Sequence, residues 1–264
     1  MPRESRSTAL VIADPSFGEP AVTPARATRQ TTGGNDLSTV YFTPLRGTTK
    51  EARAIQSLFP EATVLTGVRA TKAALAQAEA PRMLHIASHG FFLTDPSAAG
   101  DGPVGDTRLI SASARVENPL LRSGLALAGA NVNKSTTDGG ILAALEAANL
   151  NLWGTELVTL SACDTGVGVV RNGEGVYGLR RAFFLPGAET LVMSLWPVSD
   201  YVTREMMTAF YTGLKRGLGR GEALRAAQRA MRARPNRQHP FYWASFIQAG
   251  DWRPLDAEPP AASR

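Results

Sequence analysis

Two short stretches of this chain place a residue able to do acyl-transfer chemistry directly after an apolar run. Cys163, the only cysteine, follows the run at residues 157–162, and His89 follows the run at residues 83–87. Apolar, β-branched runs of this length are typical of strands buried on both faces. Because ligands bind at the carboxyl ends of the strands in an open α/β sheet, the two side chains are predicted to meet there.

A Cys/His pair at such an edge indicates attack on a carbonyl by a cysteine. The thiol attacks only as thiolate, which a nearby imidazole can hold, and the same imidazole can return a proton to the leaving amine. The oxyanion that forms needs donors, and the backbone N–H groups of Gly90 and Cys163 are the candidates. From position alone a second interpretation stays open, in which Cys163 is a small buried hydrophobe and His89 a core histidine near a turn.

The chain offers two further histidines. His85 lies inside the apolar run, so it is expected to pack or bond within the fold. His239 precedes Pro240 in a predicted loop far from either strand end. His89 stands at a strand end beside glycine and is therefore the preferred partner of Cys163.

Length and composition fit one α/β domain with a substantial core. The chain has 264 residues, of which 44% are hydrophobic and 19% charged, as in ordinary globular proteins. It has no run of about eighteen apolar residues and no apolar signal-peptide core at its start, which favours a cytoplasmic protein without a membrane span. A single cysteine makes no internal disulfide, which favours a reducing compartment.

Charge and loop composition argue against two other functions. The formal net charge is +5, with much of the basic excess at residues 215–237, where a helix with solvated arginines is predicted. Nucleic-acid binding is not expected, because aromatic interleaving and known motifs are missing. Residues 13–18 do not form a phosphate loop, and neither a metal nor a cofactor is expected.

Strands alternate with helices along the chain, which predicts a mostly parallel sheet covered on both faces. The predicted strands cover residues 8–12, 62–65, 83–87, 120–128, 157–162, 189–195 and 242–248. The predicted helices cover residues 48–59, 71–78, 138–149, 176–184, 201–216 and 221–234. A single domain at residues 8–253 is expected, with an extension at residues 1–7 and a tail at residues 254–264.

Four motifs occur in the chain in this order: HIASHGFF at residues 85–92, LSACDTG at 160–166, SLWPVSD at 194–200 and HPFYWASF at 239–246. Together they resemble the CHAT domain, a caspase-like cysteine peptidase family often joined to tetratricopeptide repeats. The resemblance implies a caspase-like three-layer α/β sandwich around a mostly parallel sheet of about six strands. It also implies that His89 is the general base and acid and that Cys163 is the nucleophile.

The same resemblance implies a biological role. Because both residues of the dyad are present, an active cysteine endopeptidase is expected in preference to a catalytically silent interaction module of the same fold. Related proteins resemble execution or defence proteases, some of them beside bacterial pore-forming gasdermins. The expected substrate is therefore a specific protein such as a gasdermin-like precursor. A repeat-containing protein is also expected as regulatory partner. The chain itself shows no repeats and is expected to be a fragment or a stand-alone peptidase.

Four residues are candidates for contact with the substrate. The resemblance implies a pocket beside the nucleophile strand and the strand that ends at Trp196. Asp164 and Asp200 are acids that could face this pocket, or Asp164 could only brace the Cys163 loop. Glu174 lies in a predicted loop and could touch substrate or be solvated. Ser199 and Asp200 also precede a long helical pattern, and either can be the N-cap of that helix. For Asp200 we predict this capping role in preference to a substrate contact. Trp196 could wall the pocket or pack in the core, and an arginine preference is not predicted.

Overall fold

Strands and helices alternate along most of the chain. The computed structural model describes residues 4–19, 40–45, 47–92, 120, 122–135, 139–161, 163–164, 174–196 and 198–256. In chain order, the elements are β1 (Leu10–Pro15), α1 (Thr48–Leu58), β2 (Thr63–Gly67), α2 (Lys72–Ala76), β3 (Met83–Ala87), β4 (His89–Phe92), β5 (Ser123–Ala126), β6 (Ile141–Ala143), α3 (Ala144–Ala147), β7 (Leu157–Leu160), β8 (Cys163–Asp164), α4 (Glu174–Phe184), β9 (Thr190–Ser194), α5 (Asp200–Lys215), α6 (Arg220–Arg232), α7 (Pro240–Trp243) and β10 (Phe246–Gly250).

Six strands form one large sheet in the order β10-β9-β7-β3-β1-β2. All neighbours in it are parallel except β10, which runs antiparallel to β9. The inner strands β1, β3, β7 and β9 are rich in Leu, Val and Ile because both of their faces are covered,. The outer strands β2 and β10 are partly exposed. The predicted sheet of about six mostly parallel strands is confirmed.

The two faces of the large sheet bury different side chains of the same strands. Val11, Leu157 and Val192 point to one face and form a core with side chains of α1, α5 and α6. Their neighbours Ile12 and Val158 point to the other face and form a core with side chains of α2, α3 and α4. This alternation follows from the two-residue period of a strand, and it confirms helices on both faces.

A second, small sheet continues from the large one in the order β6-β5-β4-β8. The chain leaves β3 at Ala87, passes Ser88 and enters β4 at His89, which is the point where the two sheets meet. The strands approach closely: a Cβ on Gly124 in β5 would lie 2.6 Å from the Phe91 ring and 2.5 Å from the Leu142 carbonyl oxygen. The sequence does not predict this sheet as a separate unit.

The predicted helix at residues 138–149 is wrong over most of its length. Residues Ile141–Ala143 form β6, which pairs with β5, and only Ala144–Ala147 are helical. Pairing with β5 satisfies main-chain groups across an apolar stretch, and this outweighs a helical spacing that runs for little more than three turns.

The predicted strand at residues 242–248 is wrong in its first half. Residues Pro240–Trp243 form the short helix α7, and the strand begins at Phe246. Proline favours this helix because its fixed φ is pre-organised for the first helical position. The His239 side chain caps the helix by accepting the N–H of Phe241.

The predicted extension and tail lie partly outside the described residues, the extension at residues 1–3 and the tail at residues 257–264. The predicted strand at residues 120–128 corresponds to β5. Within the described ranges, no helix is long and apolar enough to cross a membrane.

Candidate active site

Cys163 and His89 lie on neighbouring strands of the small sheet. β4 and β8 pair in parallel, with His89 opposite Cys163 and Gly90 opposite Asp164. Neighbouring strands lie about 4.7–4.9 Å apart, so the main chains of the predicted catalytic pair are adjacent. Gly90 also pairs with Leu125 of β5, on the other side of β4.

The His89 ring is buried and oriented by a main-chain carbonyl. Its side chain lies among aromatic rings, with centroid distances of 5.2 Å to Phe17 and 5.9 Å to Phe42. Nε2 lies 2.7 Å from the carbonyl oxygen of Thr43. Because a carbonyl only accepts, Nε2 carries the hydrogen in this contact, and Nδ1 of the neutral ring is then the nitrogen able to take up a proton.

The surroundings of His89 favour its neutral form. Burial lowers the pKa of His89 below its ordinary value, while the bond to the Thr43 carbonyl and the negative charge of Asp200 raise the pKa in opposition to burial. The lowered pKa means that the imidazole is neutral at pH 7. A neutral imidazole is the form that a general base requires.

Asp200 is not the N-cap of α5, so the predicted capping role of Asp200 is wrong and Ser199, the other candidate, takes that position. Ser199 makes no side-chain cap bond, and Asp200 is the first residue of the helix. Its Oδ2 instead accepts the N–H of Gly47, at a distance of 3.2 Å. A Cβ on Gly47 would overlap the Asp200 Cβ, so this close approach requires glycine.

The other candidate substrate contacts have different positions. Trp196 is partly buried, packs against the core beneath α5 and α6, and donates its Nε1 hydrogen to the Phe241 carbonyl at 3.0 Å. Asp164 lies in β8 and Glu174 begins α4, but their side chains fall outside the described part of the structure. Through its bond to the Phe241 carbonyl, Trp196 joins α7 to the end of β9.

The two remaining histidines have partners elsewhere. His85 Nδ1 lies 3.0 Å from the Tyr211 hydroxyl in the core beneath α1 and α5, which confirms that His85 bonds within the fold. His239 is exposed, and its Nδ1 accepts the N–H of Phe241 at 3.2 Å. Neither is a strand neighbour of Cys163.

Thr43 is a site residue that the sequence did not reveal. It contributes a carbonyl oxygen, which every residue type has, so no side-chain signal marks it. It lies in residues 40–45, called here the covering segment, which has no regular secondary structure. Thr43 itself lies 46 residues before His89 in the chain.

Comparison with known proteins places this architecture in a family. The family model of the CHAT domain matches residues 2–251. Tetratricopeptide repeat protein 28 of Homo sapiens is 35% identical over 79 residues, which is 30% of this chain and 3% of that protein. The protein of the same name from Mus musculus is 32% identical over 110 residues, which is 42% of this chain and 4% of that protein. The chain thus spans only a small part of these relatives.

Among solved structures, the crystal structure of the Arg specific cysteine proteinase gingipain R is similar with a TM-score of 0.45 and 11% identity. The similarity covers 96% of this chain and 50% of that one. The family model, for its part, runs from before β1 to the end of β10 and so includes both sheets and the His89 edge. The chain belongs to the CHAT domain family.

Proposed function

We propose that this protein is a cysteine peptidase in which Cys163 is the nucleophile and His89 is the general base and acid. The observation that carries the proposal is the parallel register of β4 and β8, in which His89 is opposite Cys163. The Thr43 carbonyl supports it, because it holds Nε2 and leaves Nδ1 as the basic nitrogen. A lowered pKa supports it as well, because it keeps His89 neutral and able to accept a proton.

The proposed reaction has two halves. In the first, the thiol of Cys163 gives its proton to His89 Nδ1 and its sulfur bonds to the carbonyl carbon of the substrate peptide. The tetrahedral intermediate collapses as the C–N bond breaks, and His89 returns the proton to the leaving amine. In the second half, His89 takes a proton from water while the water oxygen bonds to the carbonyl carbon of the thioester. The C–S bond then breaks to release the acid, and the Cys163 sulfur takes the proton back from His89.

Two further roles belong to this proposal. We assign backbone N–H groups of Gly90 and Cys163, at the same sheet edge, to stabilise the oxyanion. Asp164 and Glu174 are our candidate substrate contacts. For Asp200 we propose support of the His89 site instead of substrate binding, because its carboxylate is committed to Gly47.

We propose a specific protein as the substrate, within bacterial defence in the cytoplasm, and a gasdermin-like precursor is the first candidate. The support for this part is the motif resemblance alone. We also propose a tetratricopeptide-repeat protein as regulatory partner. The relatives named tetratricopeptide repeat protein 28 support this, because they contain a segment similar to this chain.

A peptide-library cleavage profile tests the proposed activity. Four forms of the full chain are compared: wild type, Cys163→Ala, His89→Ala and His239→Ala, with circular dichroism to confirm that each is folded. We expect cleavage by wild type and by His239→Ala only. Cleavage by Cys163→Ala would refute the nucleophile. If none of the four forms cleaves either the library or a gasdermin-like precursor, a catalytically silent interaction module is favoured.

A further inference from the structure

We infer that Asn131 is a positioning residue for His89, acting through the main chain of Phe42 and Thr43. The catalytic part of this inference rests on the proposed function, because it takes His89 as the general base. The structural part does not, because it concerns only how the imidazole is held.

The Asn131 side chain bonds both main-chain groups of Phe42. Its Oδ1 accepts the Phe42 N–H at 2.9 Å, and its Nδ2 donates to the Phe42 carbonyl at 2.9 Å. The second Nδ2 hydrogen serves the Gly18 carbonyl, at 3.0 Å. The main-chain N–H of Asn131 donates to the Phe17 carbonyl at 2.8 Å. One buried residue thereby joins two separate stretches of chain, and its amide donors and acceptor are all used.

These two stretches are the ones that enclose His89. Phe17 and Phe42 contribute the rings that pack beside the imidazole. Thr43, the next residue after Phe42, contributes the carbonyl that binds Nε2. Asn131 therefore holds the residue directly before the one that orients the general base.

The covering segment needs such a residue because it belongs to neither sheet. A strand is held by its ladder of main-chain bonds, whereas residues 40–45 have no regular pairing,. Side chains supply the bonds instead: Lys134 Nζ donates to the Val40 carbonyl at 2.6 Å, and Asp200 accepts the N–H of Gly47, two residues beyond the segment. Asn131 acts between them, and only a primary amide of its length presents one acceptor and two donors there.

Loss of the Asn131 amide would leave the N–H and carbonyl of Phe42 without these partners. Buried main-chain groups without partners are costly, so the covering segment would move toward water and carry the Thr43 carbonyl away from Nε2. Burial is the largest cause of the lowered pKa of His89. Exposure of the ring would therefore raise the pKa toward its ordinary value, and both neutral tautomers would be populated.

Long-range ¹H–¹⁵N spectra of the ¹⁵N-histidine-labelled full chain test this inference directly. The chain has three histidines, and the His89→Gln variant assigns the His89 signals. For wild type we expect a protonated Nε2 and an unprotonated Nδ1 at pH 7. For Asn131→Ala we expect a mixed tautomer and a higher His89 pKa. We also expect kcat to fall by about a hundredfold with KM little changed, as for a small displacement of a catalytic group.

Thr190→Val is the matched control. Thr190 is also buried and bonded on both sides, to Arg220 and to the Asp251 carbonyl. It is the first residue of β9, so it lies at the amino ends of the parallel strands, whereas His89 follows the carboxyl end of β3. We expect this variant to be less stable while its His89 spectrum stays that of wild type. A change in the His89 tautomer there would mean that general loss of stability, and not Asn131, controls the ring.

A second variant covers the case in which Asn131→Ala does not fold. Asn131→Asp keeps an acceptor for the Phe42 N–H but loses both donors, so the same tautomer mixing is expected. A wild-type His89 spectrum in either folded variant overturns the inference. If the spectra change but no form of the protein cleaves peptides, the positioning role stands and the proposed peptidase function fails.

Discussion

His85 and His89 lie on successive strands, four residues apart, but their ring nitrogens have different partners. His85 lies in the core under α1 and α5, with its Nδ1 3.0 Å from the Tyr211 hydroxyl. Its Nε2 lies 3.1 Å from Glu51 Oε1, which is an ion-pair distance, although the two atoms do not meet hydrogen-bond geometry. His89 lies where the two sheets meet, with Nε2 on the Thr43 carbonyl. Its Nδ1 has no hydrogen-bond partner among the described residues.

This difference separates a structural histidine from a candidate catalytic one. Both nitrogens of His85 face side chains that are themselves buried, and the Tyr211 hydroxyl continues to Thr159 at 3.0 Å. Burial raises the pKa of Tyr211 above its ordinary value, so the tyrosine hydroxyl in this network stays un-ionised. His89 has one nitrogen fixed by the Thr43 carbonyl and the other left basic, as proton transfer requires.

Replacement of His89 should have the largest effect on activity. For His89→Ala we expect turnover to fall by about 10²–10⁴-fold, because a positioned general base contributes that much. His239→Ala should keep nearly full turnover and lose about 1 kcal/mol of stability, the usual value of a helix cap. Initial rates on a cleaved library peptide measure both, and an inactive His239→Ala would contradict the assignment.

Replacement of His85 should affect stability far more than turnover. For His85→Leu we expect the free energy of unfolding to fall by about 3–5 kcal/mol, because Glu51 would remain buried without its partner. Urea denaturation measures this loss. The double variant His85→Leu/Glu51→Leu should lose less than the sum of the two single variants. If the folded His85→Leu protein instead loses turnover at unchanged stability, the contrast between the histidines is wrong.

Asp200→Asn should shift the pH dependence of turnover. The Asp200 charge raises the pKa of His89, so its removal lowers that pKa further. Because the general base works unprotonated, the acid limb of kcat/KM should move to lower pH. The amide oxygen can still accept the Gly47 N–H, so the melting temperature should change modestly and the preferred residue at the cut should not change.

Glu205→Gln is the control for this shift. It removes a charge from the same helix, but one that pairs with Arg234. The acid limb of the kcat/KM profile of Glu205→Gln should match that of wild type. A changed cleavage preference in Asp200→Asn would instead make Asp200 a specificity residue. If the acid limb of kcat/KM does not move in Asp200→Asn, the charge of Asp200 does not act on His89.

Thr159→Val should have the smallest effect. It removes the hydroxyl that accepts the hydrogen of the Tyr211 hydroxyl, at the far end of the His85 network. A loss of about 1 kcal/mol is expected, as for one neutral hydrogen bond, with kcat and KM unchanged. A measurable fall in kcat would show that the His85 network communicates with the active site.

The large sheet could be predicted from sequence because its signals are local. Leu157–Leu160 and Thr190–Ser194 are uniformly buried strands, and their apolar runs indicate this without knowledge of their neighbours,. The positions of Cys163 and His89 after two such runs followed from the same signal. The parallel order of strands then brought both residues to one edge.

The small sheet and the contacts that orient the His89 ring could not be predicted in this way. β8 has two residues and β6 has three, which is too short for any periodic pattern. The bonds from Asp200 to Gly47 and from Asn131 to Phe42 join residues 153 and 89 positions apart. Such contacts exist only after the chain has folded, so a local capping signal at Asp200 suggested a role that the structure does not give it.

The pH dependence of alkylation of Cys163 tests the central claim most directly, because the chain has one cysteine and no substrate is needed. Iodoacetamide labelling is followed by intact mass spectrometry in wild type, His89→Ala and urea-unfolded protein. A free thiol has a pKa of about 8.5 and is only a few per cent thiolate at pH 7.

If His89 takes the proton of Cys163, wild type should react at pH 7 at least about tenfold faster than His89→Ala, whose rate should follow that ordinary thiol pKa. His239→Ala should react like wild type. If wild type and His89→Ala instead show one and the same pH profile, with a midpoint near that of the unfolded protein, His89 does not activate Cys163 and the proposed dyad is wrong.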